Sequence, residues 1–579
     1  MIDRDAFGRI GSLETEHGSI KTPTVLPVIS PTRQMIDAGE IVEEIGAQAL
    51  ITNAFLLYRD PEIRRDVLRR GIHDFLGVDC PVATDSGGYQ IYRGGKVDVS
   101  PEKIHGFQSE IGSDLAVVLD VPPRDEMGEE EAESCIEESI SRSRQLFEDK
   151  NDGPLWYGVV HLTPHGRLRR REAGIISDLP FDIFALGSCV GSLIEYRFEE
   201  HVERVIDTAK RMDPARPRHI FGVGHPMFIA LSSAMGGDLF DSAMYALSAQ
   251  HGRYLTARGT LRTGDLRELP CSCPVCLDHS PSDLSSADGV DLLGRHNLYA
   301  TFEELRRVRQ AISENKLWEL VQVRSRGHPR LLGALESGLR KHRKFLEGVD
   351  PITKKSALFY SGPETRLRPE VTRARRMIRE RKVEGNEYHH PLYGGVPQAL
   401  SLCYPMGQTE MPGRLVRAVK EADVELDQDI IVKGSLDFQF TPGYGNAMEP
   451  FTVKRSRRTG RIRHLFRKGR QVGTFRARDF YFLPSIEGAR ILHEYAEYPG
   501  LRVVMDDDAA PFVADGKSAF AKFVVSCDPA IVPGQEVLVV DISDRLLATG
   551  TAMMNRMEME CFKVGVAVNV RHGVGGMGH

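Results

Sequence analysis

The sequence predicts an α/β protein whose first and largest domain is a closed (β/α)8 barrel of the TIM type. Over roughly the first 300 residues, short apolar runs alternate with longer amphipathic stretches, which is typical of a parallel sheet with crossover helices. The number of repeats favours a closed barrel, and a doubly wound open sheet is the alternative. With 579 residues, the chain is also long enough for several domains.

The candidate barrel strands are apolar runs, several of which end on a polar residue or a glycine. These runs are TVLPV from Thr24, QALITNA to Ala54, CPVAT to Thr84, LAVVL to Leu119, YGVV to Val160, FDIFAL to Leu186 and HIFGVG to Gly224. Four of the runs are directly followed by Asp85, Asp120, His161 and Gly187. Because the carboxyl ends of barrel strands face the active site, these positions are candidates for chemistry. The alternative is that each aspartate only caps the next helix.

The strand–helix rhythm ends near residue 345, and the rest of the chain divides into smaller domains. We predict the barrel over residues 1–345, a mixed linker domain with an Arg-rich helix over 346–430, and a small domain of short strands over 431–500. Residues 501–579 contain short β-like runs separated by turn residues, which predict a small β-barrel domain.

Composition limits the class of protein and its compartment. Nine scattered or locally clustered cysteines in 579 residues do not resemble a disulfide scaffold, so a reducing cytoplasm is expected. The N-terminus lacks an apolar signal core, and no long apolar stretch predicts a membrane span. A net charge of -6 argues against a wholly basic nucleic-acid-binding surface. Any contact with nucleic acid must therefore come from local basic segments.

A metal site is predicted by the pattern Cys271-x-Cys273-x-x-Cys276, followed by His296. Three thiolates and one imidazole are a standard tetrahedral set for a structural zinc ion. We therefore expect one structural Zn²⁺ per chain, with no open coordination position. The alternatives are a chance cluster of cysteines, or an iron–sulfur cluster, which would normally need a fourth cysteine. His279 is the alternative fourth ligand.

Two aspartates are candidates for cleaving an N-glycosidic bond, a reaction that calls for a pair of carboxylates. Asp85 lies in TDSGGYQ, where Gly87 and Gly88 permit close approach of a flat ligand, and Asp241 lies in GGDLFDSAMYAL. One carboxylate would attack the sugar carbon or stabilise its developing charge, and the other would move a proton. The alternative is that both aspartates are helix caps or surface acids.

Taken together, the motifs resemble the tRNA-guanine transglycosylase family over roughly residues 5–345. The residues that carry the resemblance are TDSGGYQ (84–90), VVLD (117–120), FD (240–241) and CSCPVC…H (271–296). The resemblance implies a (β/α)8 barrel with an inserted zinc subdomain. It also implies that Asp241 is the nucleophile and Asp85 the general acid/base, although the family has also been interpreted with the nucleophile at the position of Asp85. Asp120 matches the carboxylate that reads the guanine edge. Gly187 and Ser188 match backbone positions that contact the base in the family, and the ring of Tyr89 is expected to help line the pocket.

One substrate-binding position departs from the family. His161 stands where the family usually has a glutamine that reads the base carbonyl. A histidine cannot present the combined donor and acceptor of an amide, so base recognition is expected to differ in detail.

The C-terminal region indicates the branch of the family. Residues 510–573 resemble a PUA domain, an RNA-binding β-barrel, and bacterial members of the family end soon after the catalytic barrel. The arrangement resembles the archaeosine tRNA-guanine transglycosylases. It implies exchange of guanine at position 15 of the tRNA D-loop for 7-cyano-7-deazaguanine (preQ0), through a covalent enzyme–RNA intermediate. It further implies a homodimer, with tRNA, preQ0 and guanine as partners and no membrane association.

A basic segment is the candidate for holding RNA phosphates. Nine Lys and Arg residues lie between Lys454 and Arg470, and we single out Arg457, Arg458 and Arg461 as RNA contacts. The alternative is an ordinary solvated face. Two other functions compete with the enzyme: a non-catalytic RNA-binding protein, which would not need Asp85 and Asp241, and a zinc hydrolase, which would need an open metal position.

Overall fold

The computed structural model describes residues 1–92, 98–148, 153–413 and 427–575, in two compact units. The first unit comprises Met1–His342 and the second Arg343–His579. In the part of the chain that the structure describes, no helix is both long and apolar enough to cross a lipid bilayer.

The first unit contains a closed barrel of eight parallel strands, so the predicted barrel is confirmed and the open sheet is wrong. Its strands, in chain order, are Thr24–Ile29, Leu50–Asn53, Val82–Asp85, Leu115–Val117, Leu155–His161, Ile183–Gly187, Arg218–Ile220 and Leu239–Ser242. The last strand pairs with the first, with Leu239 opposite Thr24, and this pairing closes the barrel. The eighth strand was not among the predicted runs, because only four residues with one charge are a weak strand signal.

Helices cover the outside of the barrel, and an N-terminal antiparallel sheet of Asp3–Asp5, Gly8–Thr15 and Gly18–Thr22 precedes it. The helices are Ala38–Glu43, Ala54–Arg59, Pro61–Arg70, Ile72–Leu76, Gly88–Tyr92, Pro101–Glu110, Glu129–Glu148, Gly166–Asp178, Val190–Ile194, Phe198–Ala209, Pro226–Ala234 and Met244–Gln250. Capping side chains and prolines mark where several of these helices begin. Ser100, for example, accepts from the backbone N–H of Lys103, with Pro101 in the first turn.

An insertion after the eighth strand carries the cysteine motif. It consists of the hairpin Arg253–Thr256 and Gly259–Arg262, the short helices Pro274–Asp278 and Pro281–Ser285, and the first part of the long helix Val290–Glu314. Helices Leu317–Ser325 and Pro329–Lys341 complete the first unit. The predicted inserted subdomain is therefore present.

A buried aspartate ties three elements together at the amino-terminal end of the barrel. Asp114, just before the fourth strand, accepts from His17 Nδ1 and His73 Nε2, each at 2.9 Å, and from the N–H of Val82 at 2.9 Å. The two imidazole rings stack with their centroids 3.6 Å apart. These atoms are also close enough to be metal ligands. However, both carboxylate oxygens already accept hydrogen bonds, so we interpret the cluster as a clamp that stabilises the fold.

Replacing Asp114 with asparagine is expected to lower the free energy of unfolding of the first unit by about 3 kcal/mol, because a buried charge network loses its centre. Burial opposes ionisation, but hydrogen bonds from His73, Val82 and His17 outweigh it and hold the pKa of Asp114 well below its usual range. A depressed carboxyl pKa stabilises the fold above about pH 4, the pKa of the unfolded chain, and this stabilisation is lost on acidification. The difference between wild type and variant should therefore shrink below that pH.

Denaturant titration followed by tryptophan fluorescence measures this effect, because the chain has two tryptophans, Trp156 and Trp318, both buried in the first unit. Asp66→Asn is the matched control. Its carboxylate pairs with Arg69 and Arg70 on an exposed helix, and such pairs contribute no more than about 1 kcal/mol. Equal stability of Asp114→Asn and wild type at neutral pH would contradict the clamp.

The second unit is built from smaller sheets and helices. Its helices are Arg343–Val349, Pro369–Arg381, Gln428–Gln439, Tyr444–Ala447, Ile486–Tyr495, Ala510–Ala514 and Arg556–Cys561. Its sheets are the pair Leu358–Phe359 and Thr409–Glu410, the hairpin Glu387–His390 and Gly394–Pro397, the four strands Thr452–Arg455, Ile462–Arg467, Arg470–Phe475 and Phe482–Pro484, and a six-stranded sheet. The six strands, in sheet order, are Ala519–Phe520, Val566–Gly573, Leu546–Ala552, Glu536–Val540, Arg502–Met505 and Val524–Cys527. A C-terminal β domain is therefore confirmed, while the four predicted domain boundaries stay predictions.

Candidate active site

The carboxyl end of the barrel brings three predicted aspartates together. Asp85 ends the third strand, Asp241 lies in the eighth, and Asp120 follows the fourth. The negative charges of Asp120 and Asp241 both act on Asp85. His161 and Gly187 end the fifth and sixth strands, so all five residues lie at the same end of the barrel.

Asp85 is a carboxyl group that can hold a proton near neutral pH. Burial and the charge of Asp120 raise the pKa of Asp85 to about 7, although the hydrogen bond from the N–H of Gly87 lowers it. Asn53, at the end of the second strand, donates from Nδ2 to Asp85 Oδ2 at 2.7 Å. A pKa near the working pH suits a group that both gives and takes a proton.

The paired glycines beside Asp85 are required by the backbone and by Asp120. Gly87 has a φ of +113°, a conformation that favours glycine. A Cβ atom on Gly88 would lie 2.0 Å from Asp120 Oδ1, so any side chain there would displace the carboxylate. Tyr89 follows on the helix Gly88–Tyr92 and is 42% exposed. The motif therefore sets the position of Asp120 as well as that of Asp85.

A buried chain of three charged groups fixes Asp120. His161 Nε2 donates to Asp120 Oδ2 at 2.9 Å, and His161 Nδ1 donates to Glu172 Oε1 at 2.7 Å. The other oxygen of Glu172 accepts from the backbone N–H of His161 at 2.8 Å. Burial lowers the pKa of His161, but the charge of Glu172 and the bond to Asp120 outweigh it and raise that pKa to about 10. His161 is therefore an imidazolium at neutral pH, with both ring nitrogens engaged.

Asp241 has one oxygen anchored and the other available. Its Oδ1 accepts from the backbone N–H of Gly222 at 2.9 Å and from His219 Nε2 at 3.2 Å. Tyr157 O–H lies 3.3 Å from His219 Nδ1 and completes a buried chain behind the carboxylate. Within the described ranges, Asp241 Oδ2 has no hydrogen-bond partner, and the side chain is 18% exposed. A carboxylate held in this way presents one oxygen to an electrophile.

The end of the sixth strand supplies a strained turn. Ser188 directly follows Gly187 and has a φ of +58°, which is uncommon for a residue other than glycine. In the described part of the chain, the Ser188 hydroxyl oxygen is buried without a hydrogen-bond partner. Strain of this kind is typical of sites that bind ligands, because the surrounding structure must hold it in place.

The four predicted metal ligands come together in the inserted subdomain. The ligand atoms of Cys271, Cys273, Cys276 and His296 all lie within 4.8 Å of one another. His296 Nδ1 is 3.5 Å from Cys273 Sγ and 3.3 Å from Cys276 Sγ. On its far side, His296 Nε2 donates to the carbonyl oxygen of Leu255 at 3.0 Å, which leaves Nδ1 free to face a metal. This donor set could hold a metal ion.

We expect Cys276→Ser to bind no metal ion at this group and to lower the activity of the protein at least about 10-fold, because even the outer partners of metal ligands commonly matter to that extent. The link to the active site is Asn297, which neighbours His296 and donates to the carbonyl of Tyr245, four residues after Asp241. Metal content by atomic emission and the thiolate bands of a Co²⁺-substituted protein measure the site. The control is Cys135→Ser, a half-buried thiol outside the group. A variant that keeps one metal ion per chain would contradict the assignment.

Four functional neighbours were not predicted from the sequence. Asn53, Glu172, His219 and Gly222 each hold one of the predicted residues in place. Only Asn53 could have been found by the signal used for the predicted residues, because it is the polar residue at which the strand Leu50–Asn53 ends. The others reach their partners only through the packing of the barrel.

Comparison with known proteins matches nearly the whole chain. The family model described as queuine tRNA-ribosyltransferase matches residues 4–330. The C1 domain of tRNA-guanine transglycosylase dimerisation matches 351–414, the patch-forming domain C2 of tRNA-guanine transglycosylase matches 431–499, and the PUA domain matches 501–574.

Several archaeal proteins named tRNA-guanine(15) transglycosylase are similar over their full length. The protein of Pyrococcus abyssi is 40% identical over 579 residues, covering 99% of this chain and 97% of the relative. That of Thermococcus kodakarensis is 40% identical, covering 99% and 98%, and that of Methanocaldococcus jannaschii is 35% identical, also covering 99% and 98%. With the barrel and its carboxylates, these matches establish that the chain is an enzyme of the tRNA-guanine transglycosylase family.

Proposed function

We propose that this enzyme exchanges guanine at position 15 of the tRNA D-loop for preQ0, as a step toward archaeosine. The observation that carries the proposal is the pairing of Asp241, which presents one free oxygen, with Asp85, whose pKa is raised to about 7. The choice of tRNA position rests on the full-length likeness to enzymes named for position 15.

The proposed reaction is a double displacement at the ribose C1′. Asp241 Oδ2 attacks C1′, the bond from C1′ to the guanine nitrogen breaks, and the leaving base takes a proton from Asp85. PreQ0 then enters, gives its ring N–H proton to Asp85 and attacks C1′, which breaks the ester to Asp241. One glycosidic bond replaces a similar one, so the exchange needs no nucleotide cofactor.

Recognition of the base is assigned to Asp120, supported from behind by His161. Since both ring nitrogens of His161 are engaged, we propose that His161 acts on the base through Asp120 rather than by direct contact. Asp120 Oδ1 would then accept from the N–H edge that guanine and preQ0 share. The backbone at Gly187 and Ser188, together with the unpartnered Ser188 hydroxyl, is proposed to contact the same base, and Tyr89 to line its entrance.

Zinc and RNA binding complete the proposal. The Cys₃His set would hold one Zn²⁺, whose chemistry is structural because four protein ligands leave no open position. Arg457, Arg458 and Arg461 are exposed around the turn that joins strands Thr452–Arg455 and Ile462–Arg467, where they are proposed to contact RNA phosphates. The match to a dimerisation domain supports a homodimer.

The proposed exchange is tested with unmodified archaeal tRNA that carries labelled guanine. Release of label that requires preQ0 and maps to position 15 is the expected result. Exchange at another position, such as the anticodon wobble base, would keep the family and overturn the substrate assignment. Binding of tRNA without any release would favour the non-catalytic RNA-binding protein instead.

A further inference from the structure

The second unit contains a basic cavity that the proposed reaction does not use. This cavity, of about 350 Å³, is large enough for a small ligand group. We call it the arginine pocket and define it by Arg343, Thr372, Arg375, Ile378, Arg379 and Tyr393.

One helix supplies most of the arginine pocket. Thr372, Arg375 and Arg379 are spaced three and four residues apart on Pro369–Arg381, so they lie on one face of this helix. Arg343 comes from the preceding helix, and Tyr393 from the hairpin loop. The guanidinium groups therefore converge from separate elements on one cavity.

The charge of the arginine pocket is not balanced locally. Arg375 is half-buried and donates from Nε to the carbonyl of Leu392 at 2.6 Å, which fixes the plane of its guanidinium. Burial lowers the pKa of Arg375, and the positive charges of Arg366 and Arg379 lower it further. Among the described residues, no carboxylate is among the groups that shift this pKa. Like charges held together in a partly desolvated site are unfavourable unless an anion joins them.

The carboxylates around the arginine pocket are engaged elsewhere or lie at its edge. Glu347 is 3.8 Å from Arg343 but makes its closer pair, at 3.0 Å, with Arg376. Glu387, exposed on the hairpin, lies against the backbone of Gly395, which also lines the pocket, so one carboxylate stands at the edge against three arginines. Among the described residues, Arg379 forms no ion pair with a carboxylate. The pocket thus keeps a net positive charge.

We propose that the arginine pocket binds a phosphate group. Guanidinium forks match the oxygens of a phosphate in geometry and charge, and two or more of them can share one anion. The phosphate can come from the backbone of bound tRNA, an assignment that rests on the proposed function, or from a free phosphate compound. It would be an RNA contact separate from the exposed turn at Arg457.

The test compares the full-length protein with Arg375→Gln/Arg379→Gln and with Arg379→Gln alone. The single variant changes only an exposed side chain, so it folds even if loss of the bond to Leu392 disturbs the double variant. Arg376→Gln is the matched control, because it removes one positive charge from the same helix at a residue that pairs with Glu347 and Glu380. The measurements are tRNA affinity over a salt titration and thermal stabilisation by inorganic pyrophosphate.

We expect the double variant to weaken tRNA binding about 10-fold and to reduce the slope of log K against log salt by about 1 to 2, since each lost phosphate contact contributes slightly less than one. Arg379→Gln should give about half of the change in slope, and Arg376→Gln little. The pocket variants could instead lose stabilisation by pyrophosphate while their tRNA binding is unchanged. That result would keep the phosphate site and assign it to a free phosphate compound.

The proposal is overturned if the pocket variants match Arg376→Gln in both assays, or if they only shift the monomer–dimer equilibrium, which would indicate a carboxylate of a second copy. Neither assay measures base exchange. Failure of the proposed function therefore appears separately, as missing guanine release by wild-type protein.

Discussion

Asp241→Asn is expected to lower base exchange by about 10³-fold or more, the scale of loss when a covalent nucleophile is removed. The amide oxygen of asparagine can still accept from Gly222 and His219, which now hold Asp241 Oδ1. The fold and tRNA affinity should therefore remain. What is lost is the negative oxygen that we propose attacks the ribose.

Guanine release and tRNA affinity, measured on the same preparations, separate these effects. Asp85→Asn serves as the comparison, because it removes the proposed proton carrier but leaves Asp241 in place. A covalent RNA adduct should still form slowly with Asp85→Asn and not at all with Asp241→Asn. The opposite pattern would assign the nucleophile to Asp85, the alternative that the family resemblance leaves open.

Glu172→Gln is expected to weaken binding of the free base about 10- to 100-fold at alkaline pH, with a smaller effect on kcat, because Glu172 acts through His161 and Asp120. The charge of Glu172 is the largest influence that raises the pKa of His161 to about 10. Because the pKa of His161 is raised in the folded protein, the charged contacts among Asp120, His161 and Glu172 are stable below that pKa. They are lost as the pH rises through the pKa of His161 in the folded protein. Without Glu172, the loss should begin about 1 to 3 pH units lower.

The readout is the KM for preQ0 as a function of pH. The KM of wild type for preQ0 should be constant from neutral pH to about pH 9. The KM of Glu172→Gln should begin to rise at a pH nearer neutrality. The double variant His161→Gln/Glu172→Gln is the control for folding, since it replaces the buried ions with neutral amides. Its KM for preQ0 should not rise at alkaline pH. Identical pH profiles for wild type and Glu172→Gln would contradict a positioning role.

The ends of the barrel strands could be predicted from sequence because they depend on local pattern. Apolar runs that end at Asp85 and His161 mark where a parallel sheet presents side chains to a ligand, and the structure places these residues at one end of a closed barrel. The cysteine motif was equally local, since three of its ligands lie within six residues. The structure places His296 rather than His279 with them.

The groups that tune those residues could not be predicted, because they meet only through tertiary packing. His219 and Asp241 lie 22 residues apart on neighbouring strands, and Glu172 reaches His161 from the face of the next helix. No spacing rule links such pairs. The sequence identified His161 as a departure from the family, but only the structure reveals that both of its ring nitrogens are engaged behind Asp120.

The most direct test of the account is to identify the carboxylate that carries the RNA. Denaturing the enzyme during exchange should trap the covalent adduct, and proteolysis with mass spectrometry would locate the attached nucleotide. We expect the ribose ester on the peptide that contains Asp241, with position 15 of the tRNA as the attached nucleotide. An ester on Asp85, or continued exchange of labelled guanine without any covalent adduct, would contradict the proposed mechanism.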